Sequence, residues 1–163
     1  MVMFNQNDRP MEFNLGIRES DCISFKVLGP ACPNSKDNWY RAQLNAEINI
    51  NVGSFQGYQS LVMFTDDIHR FRAALNKLLS KKTIIASLET GDFLSVDVEE
   101  KGIAYRVWMQ LDSLEQDGAE LLLEDGTENW EWRLEMDRIS LDALYSAVTR
   151  ISEHYPTCSV PRN

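Results

Sequence analysis

Apolar and polar residues alternate most regularly between Tyr40 and Val52. Tyr40, Ala42, Leu44, Ala46, Ile48, Ile50 and Val52 are interleaved with Arg41, Gln43, Asn45, Glu47, Asn49 and Asn51. A period of two over this length predicts a strand with one buried and one wet face, as in an antiparallel sheet. A helix would spread these positions around its circumference. The same alternation, weaker, predicts a first strand through Met11, Phe13, Leu15 and Ile17 and a second over residues 21–28. Residues 29–38, rich in Gly, Pro, Asn and Ser, read as a loop, and Gly53-Ser54-Phe55-Gln56-Gly57 as a turn into a short strand over 58–64.

The period then changes. Ile68, Phe71, Leu75, Leu78 and Leu79 recur at helical spacing after Thr65-Asp66-Asp67, with lysines near the other end. Thr65 is the expected cap, the aspartates suit the positive end of the helix dipole, and the helix should run to about Lys81. Strands follow over 83–89, 93–99, 103–111, 120–123 and 130–136, joined by short turns such as Thr90-Gly91-Asp92, Glu100-Lys101-Gly102 and Glu124-Asp125-Gly126-Thr127. Leu141, Leu144, Tyr145, Val148 and Ile151 define a second amphipathic helix to about His154.

Together these elements predict one α+β domain over residues 1–163, with irregular tails at 1–9 and 156–163. Its core element is a large, curved, mostly antiparallel sheet of seven to nine strands, rich in meanders. Two amphipathic helices pack on one face of it and leave the other face or an edge open. Trp130, Trp132, Leu134 and Met136 fall on one side of their strand, and Glu131, Arg133 and Glu135 on the other. The segment around residues 120–136 is expected to form a strand pair with its carboxylates outward.

Charge adds something the pattern does not. The net charge is −9, and its placement is uneven. Between Asp112 and Asp137 there are ten acids and one base, Arg133; the rest of the chain has fifteen of each. Such a surface repels nucleic acid and anionic membranes and attracts a basic protein. The alternative is a solvated face that serves solubility. No run approaches the roughly 18 apolar residues of a membrane span, and the first residues lack a secretory pattern, so a cytoplasmic location is expected. Three widely spaced cysteines, Cys22, Cys32 and Cys158, read as free thiols rather than a disulfide framework.

The search for catalytic chemistry returns little. His69 and His154 are the two histidines, and neither has the companions of a metal motif. No GxSxG elbow and no Gly-rich phosphate loop occurs. Asp66 and Asp67 suit a helix start; Asp97, Glu99 and Glu100 approach a hairpin turn, where solvated carboxylates are common. Trp39, Trp108, Trp130 and Trp132 are read first as core residues and second as interface anchors. No catalytic residue, metal or cofactor is assigned.

Several of these features occur in a familiar order. Trp39 opens the long strand, which ends in the turn at 53–57; a helix with Asp67, Phe71, Leu75 and Leu78 follows; a strand over 93–98 and the Lys101-Gly102-Ile103 turn come next. Over about residues 37–150 the chain resembles the WapI-family immunity proteins, small cytoplasmic proteins that neutralise the C-terminal domains of contact-delivered bacterial toxins. Residues 1–36 and the acidic segment 112–137 add nothing to the resemblance. It implies a role in contact-dependent inhibition and bacterial competition, with a cognate toxin domain as partner and no catalytic residues. Many such toxins are nucleases, whose phosphate-binding sites are basic. On that expectation Glu120, Glu124, Asp125, Glu128, Glu131 and Glu135 contribute to the toxin-facing surface. Nothing indicates a homo-oligomer, nucleic-acid binding or membrane binding. Two other readings compete: a secretion chaperone, which would bind a disordered effector segment, and an enzyme whose site carries no local motif.

Overall fold

The computed structural model describes residues 11–17, 20–90, 94–111, 115–116, 119–120 and 130–157. The first two strands, β1 (Met11–Gly16) and β2 (Cys22–Pro30), pair antiparallel with Phe13 opposite Phe25. These two rings stack at 4.7 Å, so the inward parity set by Phe13 and Leu15 in β1 is matched by Ile23, Phe25 and Val27 in β2. β2 pairs in turn with β3 (Gln43–Val52), and the register shifts at a bulge between Val27 and Gly29.

The long alternating run begins later than its pattern suggests. Residues Asn38–Arg41 form a single helical turn, α1, and Tyr40 is exposed on it rather than buried in a strand. The cause is local. The Asp37 carboxylate accepts the Trp39 N–H at 2.8 Å, and the Asp37 carbonyl accepts the Arg41 N–H at 3.0 Å. This capped turn outcompetes two further residues of ladder. At the other end, the turn is only Gly53-Ser54, because Val52 already pairs with Phe55. Gly53 adopts φ +59°, a conformation a tight hairpin demands and glycine supplies. β4 therefore spans Phe55–Phe64, ten residues rather than seven.

Helix α2 (Thr65–Leu79) follows at once. Its cap position is Phe64, and Thr65 is the first helical residue, so the expected capping role of Thr65 is not filled. The Thr65 N–H donates to the Ala42 carbonyl at 2.9 Å, so backbone rather than a side chain satisfies this first-turn donor. Asp66 and Asp67 occupy the first turn as the dipole argument requires. Ile68, Phe71, Leu75 and Leu78 are buried, and the helix stops two residues before Lys81, which itself takes φ +61°.

The second half of the chain is a meander. β5 (Ile85–Thr90), β6 (Leu94–Lys101) and β7 (Ala104–Leu111) pair in sequence order. Two short strands, β8 (Glu115–Gln116) and β9 (Ala119–Glu120), join the first sheet through Tyr58 of β4. β10 (Trp130–Met136) then returns to pair with β7. Helix α3 (Arg138–His154) closes the chain, capped by Asp137, whose carboxylate accepts the Ser140 N–H at 2.7 Å.

The architecture is α+β, antiparallel in every strand pair, with eight strands of six residues or more. These divide between a six-stranded sheet, ordered β1-β2-β3-β4-β8-β9, and a four-stranded sheet, ordered β10-β7-β6-β5. β1 lies beside β10 and β4 beside β5 without a shared ladder. The helix inserted between β4 and β5 separates them, and accumulated twist favours two curved sheets over one long one. α2 packs along β5, α3 along β1, and the helices on each other. The inward faces of both sheets and helices form one continuous core. Near its rim Phe55 of β4 meets Trp130 and Trp132 of β10 at 5.8 and 5.7 Å, bridging the two sheets.

The strand expected over 120–123 lies outside the described residues except for Glu120, which belongs to β9 and pairs with β8. β10 pairs with β7, and its parity suits that neighbour: Trp132, Leu134 and Met136 come opposite Met109, Val107 and Tyr105, so each buried row continues across the sheet.

Candidate functional site

β10 presents two faces. Its inward residues are buried, while Glu131, Arg133 and Glu135 are exposed, as their parity requires. Cross-strand register extends this outer face over all four strands. One row runs Ile85, Glu99, Arg106, Glu135; the next Ser87, Asp97, Trp108, Arg133; the third Glu89, Ser95, Gln110, Glu131. At about 4.8 Å between strands, the face is roughly 14 Å wide. Both helices pack into the core on the other side, so these side chains meet solvent.

The charges on this face are arranged. Five carboxylates, Glu89, Asp97, Glu99, Glu131 and Glu135, stand against Arg106, Arg133 and, at the turn, Lys101. Arg106 lies between Glu99 and Glu135 in register. Lys101 Nζ is 3.2 Å from Glu99. Asp97 accepts the Ser87 hydroxyl at 2.6 Å, and Glu131 accepts Gln110 Nε2–H at 3.1 Å. The Arg133 guanidinium sits over the Trp108 ring, 5.5 Å from its centroid, a cation–π contact. Trp108 itself is 37% exposed, unusual for an indole at mid-strand. Beside it a groove of about 270 Å³ is lined by Ile85, Asp97, Glu99, Arg106, Trp108 and Arg133.

At the turn end of this sheet three ionisable groups are displaced; Arg138 is raised, chiefly through its hydrogen bond with Tyr105. Lys81 is held above the usual lysine range by its hydrogen bond to Glu100. Asp137 is held below the usual carboxylate range, chiefly by the Ser140 N–H it accepts at the start of α3.

Of the residues singled out from the charge pattern, Glu131 and Glu135 stand together on the outer face, about 13 Å apart by strand rise. Glu120 belongs to β9, in the other sheet, opposite Glu115. Glu124, Asp125 and Glu128, with the 124–127 turn, lie outside the described residues. The charge count missed Trp108 and undervalued Asp97 and Glu99. The signal was available: Tyr105, Val107, Met109 and Leu111 fill the inward parity of β7, which forces Trp108 outward. Trp39 is likewise exposed, against Tyr40 and Phe64, whereas Trp132 is buried as expected.

Among the described residues no group of His, Cys, Asp and Glu is placed to hold a metal ion. His69 on α2 donates to the Tyr155 carbonyl at 2.9 Å, and the His154 ring packs edge-on against Tyr155. Both serve to tie down the end of α3. Cys22 is buried beside Asn14 and Ser24, Cys32 is half-buried, and Cys158 lies outside the described residues. Among the described residues no helix is long and apolar enough to cross a membrane.

Comparison with curated proteins and with solved structures finds no significant match. Comparison with protein families does. The chain matches the immunity protein WapI-like family over residues 14–156. The match begins in β1 and ends beyond α3, so it takes in the first two strands and the acidic segment as well as the part whose order resembles the family. The chain therefore belongs to the immunity protein WapI-like family.

Proposed function

We propose that this protein is a non-catalytic immunity protein that neutralises a cognate bacterial toxin domain by covering it with an acidic surface. The observation that carries the proposal is the family membership taken together with a net charge confined to one segment. A nuclease is the toxin class such a surface suits best, because a nuclease holds phosphate with basic groups. Carboxylates on the inhibitor then stand in for phosphate. Complementary charge also accelerates encounter, up to roughly 10⁸–10⁹ M⁻¹s⁻¹ at low salt. The cytoplasm is where such an inhibitor would meet an incoming toxin.

The surface is assigned to Glu120, Glu124, Asp125, Glu128, Glu131 and Glu135. Exposure of Glu131 and Glu135 on one open sheet face supports the assignment. The segment 112–129 joins β7 to β10 and contributes seven acids and no base, so it departs from and returns to that same sheet.

The test first reads the gene immediately upstream for a large secreted protein, and then uses the C-terminal domain of that protein, made inactive for binding work. Wild-type chain should bind it one to one and rescue cells from its active form. Changing Glu124, Asp125 and Glu131 to Lys should slow association by about tenfold or more at low salt, with the difference shrinking above 0.3 M as screening shortens the Debye length. Equal association rates for wild type and the triple variant would remove the acidic surface from the mechanism.

A further inference from the structure

Resting on that reading, we infer that the anchor of the toxin contact is Trp108 on the outer face of the four-stranded sheet. The groove beside Trp108 receives one cationic side chain of the toxin domain. The acidic run governs encounter; the tryptophan and its groove govern how long the complex lasts.

The core does not account for the position of Trp108. The core is complete without it, since the inward parity of β7 is filled by Tyr105, Val107, Met109 and Leu111. The indole instead stands among Asp97, Arg106 and Arg133, on a face that no helix covers. An exposed Trp beside an Arg is the composition that dominates binding energy at protein interfaces. Arg133 is already held over the ring, so the pair loses little side-chain freedom on binding.

The groove fixes the occupant. Its volume of about 270 Å³ falls below the roughly 300–1,000 Å³ of small-molecule sites and suits a single side chain. Asp97 and Glu99 point the same way from β6, about 7 Å apart by strand rise. Trp108 and Ile85 supply apolar wall for the methylenes of a lysine or arginine, whose head Asp97 would take. Two arginines also line the groove, but each has a local counterpart: Arg106 lies between Glu99 and Glu135, and Arg133 lies on the indole. This face by itself carries five acids against three bases. An anionic side chain would enter against that field, and a cationic one would follow it.

The experiment is binding of the inactive cognate toxin domain, identified from the upstream gene, by surface-immobilised kinetics, with four variants beside the charge-reversal triple. Trp108→Ala should weaken the complex by about 30-fold or more, mostly through faster dissociation, and the effect should persist at high salt. Ile85→Arg, which places a competing cation in the groove, should weaken it comparably. Trp108→Phe keeps an aromatic wall and should lose less than either; it also guards against a folding defect, which matched thermal melts would expose. Trp39→Ala, on the other exposed indole, should bind as wild type does. Loss of binding in Trp39→Ala with Trp108→Ala within threefold of wild type would overturn the anchor and leave the toxin-binding reading standing. Loss only in the charge-reversal variant would do the same. Failure of the wild-type chain to bind at all would overturn both.

Discussion

Phe55 is the side chain whose removal should most directly loosen the two sheets from each other. Its ring lies 5.8 Å from Trp130 and 5.7 Å from Trp132, themselves stacked at 6.1 Å. These contacts join the first residue of β4 to the strand that carries Glu131, Arg133 and Glu135. Truncating a fully buried Phe to Ala costs about 3–5 kcal/mol. Phe55 is only partly buried, so roughly half that transfer and cavity term applies, with each aromatic pair adding about 0.5–1.5 kcal/mol to what burial alone gives. Phe55→Ala should therefore destabilise the protein by about 2.5–5.5 kcal/mol. In a chain of 163 residues this corresponds to a drop in Tm of roughly 5–20 °C. Urea denaturation followed by tryptophan fluorescence would report it, since the two indoles next to the cavity change their surroundings. The midpoint should fall with the slope unchanged. A loss below about 0.5 kcal/mol would mean the two sheets are held together elsewhere, and the bridging role of Phe55 would be wrong.

Two further outcomes follow from local geometry. Asp137 caps α3 and its folded-state pKa is depressed, so the stability it contributes is complete above the ordinary carboxylate pKa and is lost as pH falls through the lowered value; Asp137→Ala should flatten the acid side of the stability–pH curve, and a curve parallel to wild type would refute the cap. Gly16 has φ +94°, and a methyl group there would come within 2.2 Å of the Asp21 carbonyl oxygen, whereas Gly53 has φ +59° with open space around it. Gly53→Ala should cost about 1–2 kcal/mol from backbone conformation alone, and Gly16→Ala about 2 kcal/mol more because backbone must move; equal denaturation midpoints for the two variants would contradict this.

Much of the fold was legible from periodicity, and the misses share a cause. Alternation identified β1, β3, β7 and β10 and assigned β1, β3 and β10 their buried sides, because a one-residue error in parity would put every apolar side chain in water; in β7 it left Trp108 read as core, and the structure turns it outward. Helical spacing identified α2 and α3 for the same reason. Ends were less legible. Tyr40 continues the alternation of β3 in sequence, yet Asp37 captures it in a helical turn. Thr65 has the chemistry of a cap, yet the Ala42 carbonyl reached its N–H first. Short polar contacts of this kind depend on a few tenths of an ångström that no periodicity encodes.

The candidate surface divides along the same line. Sequence alone determined the net charge, its confinement to residues 112–137, the absence of local catalytic motifs, and the family order of elements. It also determined that Glu131, Arg133 and Glu135 share a face, since that is a property of one strand. Tertiary structure alone decided what lies next to them. That β10 pairs with β7, about twenty residues back in the chain, is decided by how the buried rows match across the sheet. That choice brings Trp108, Asp97 and Ile85 beside the acids of β10, and it turns a stretch of charge into a surface with an aromatic centre and a groove.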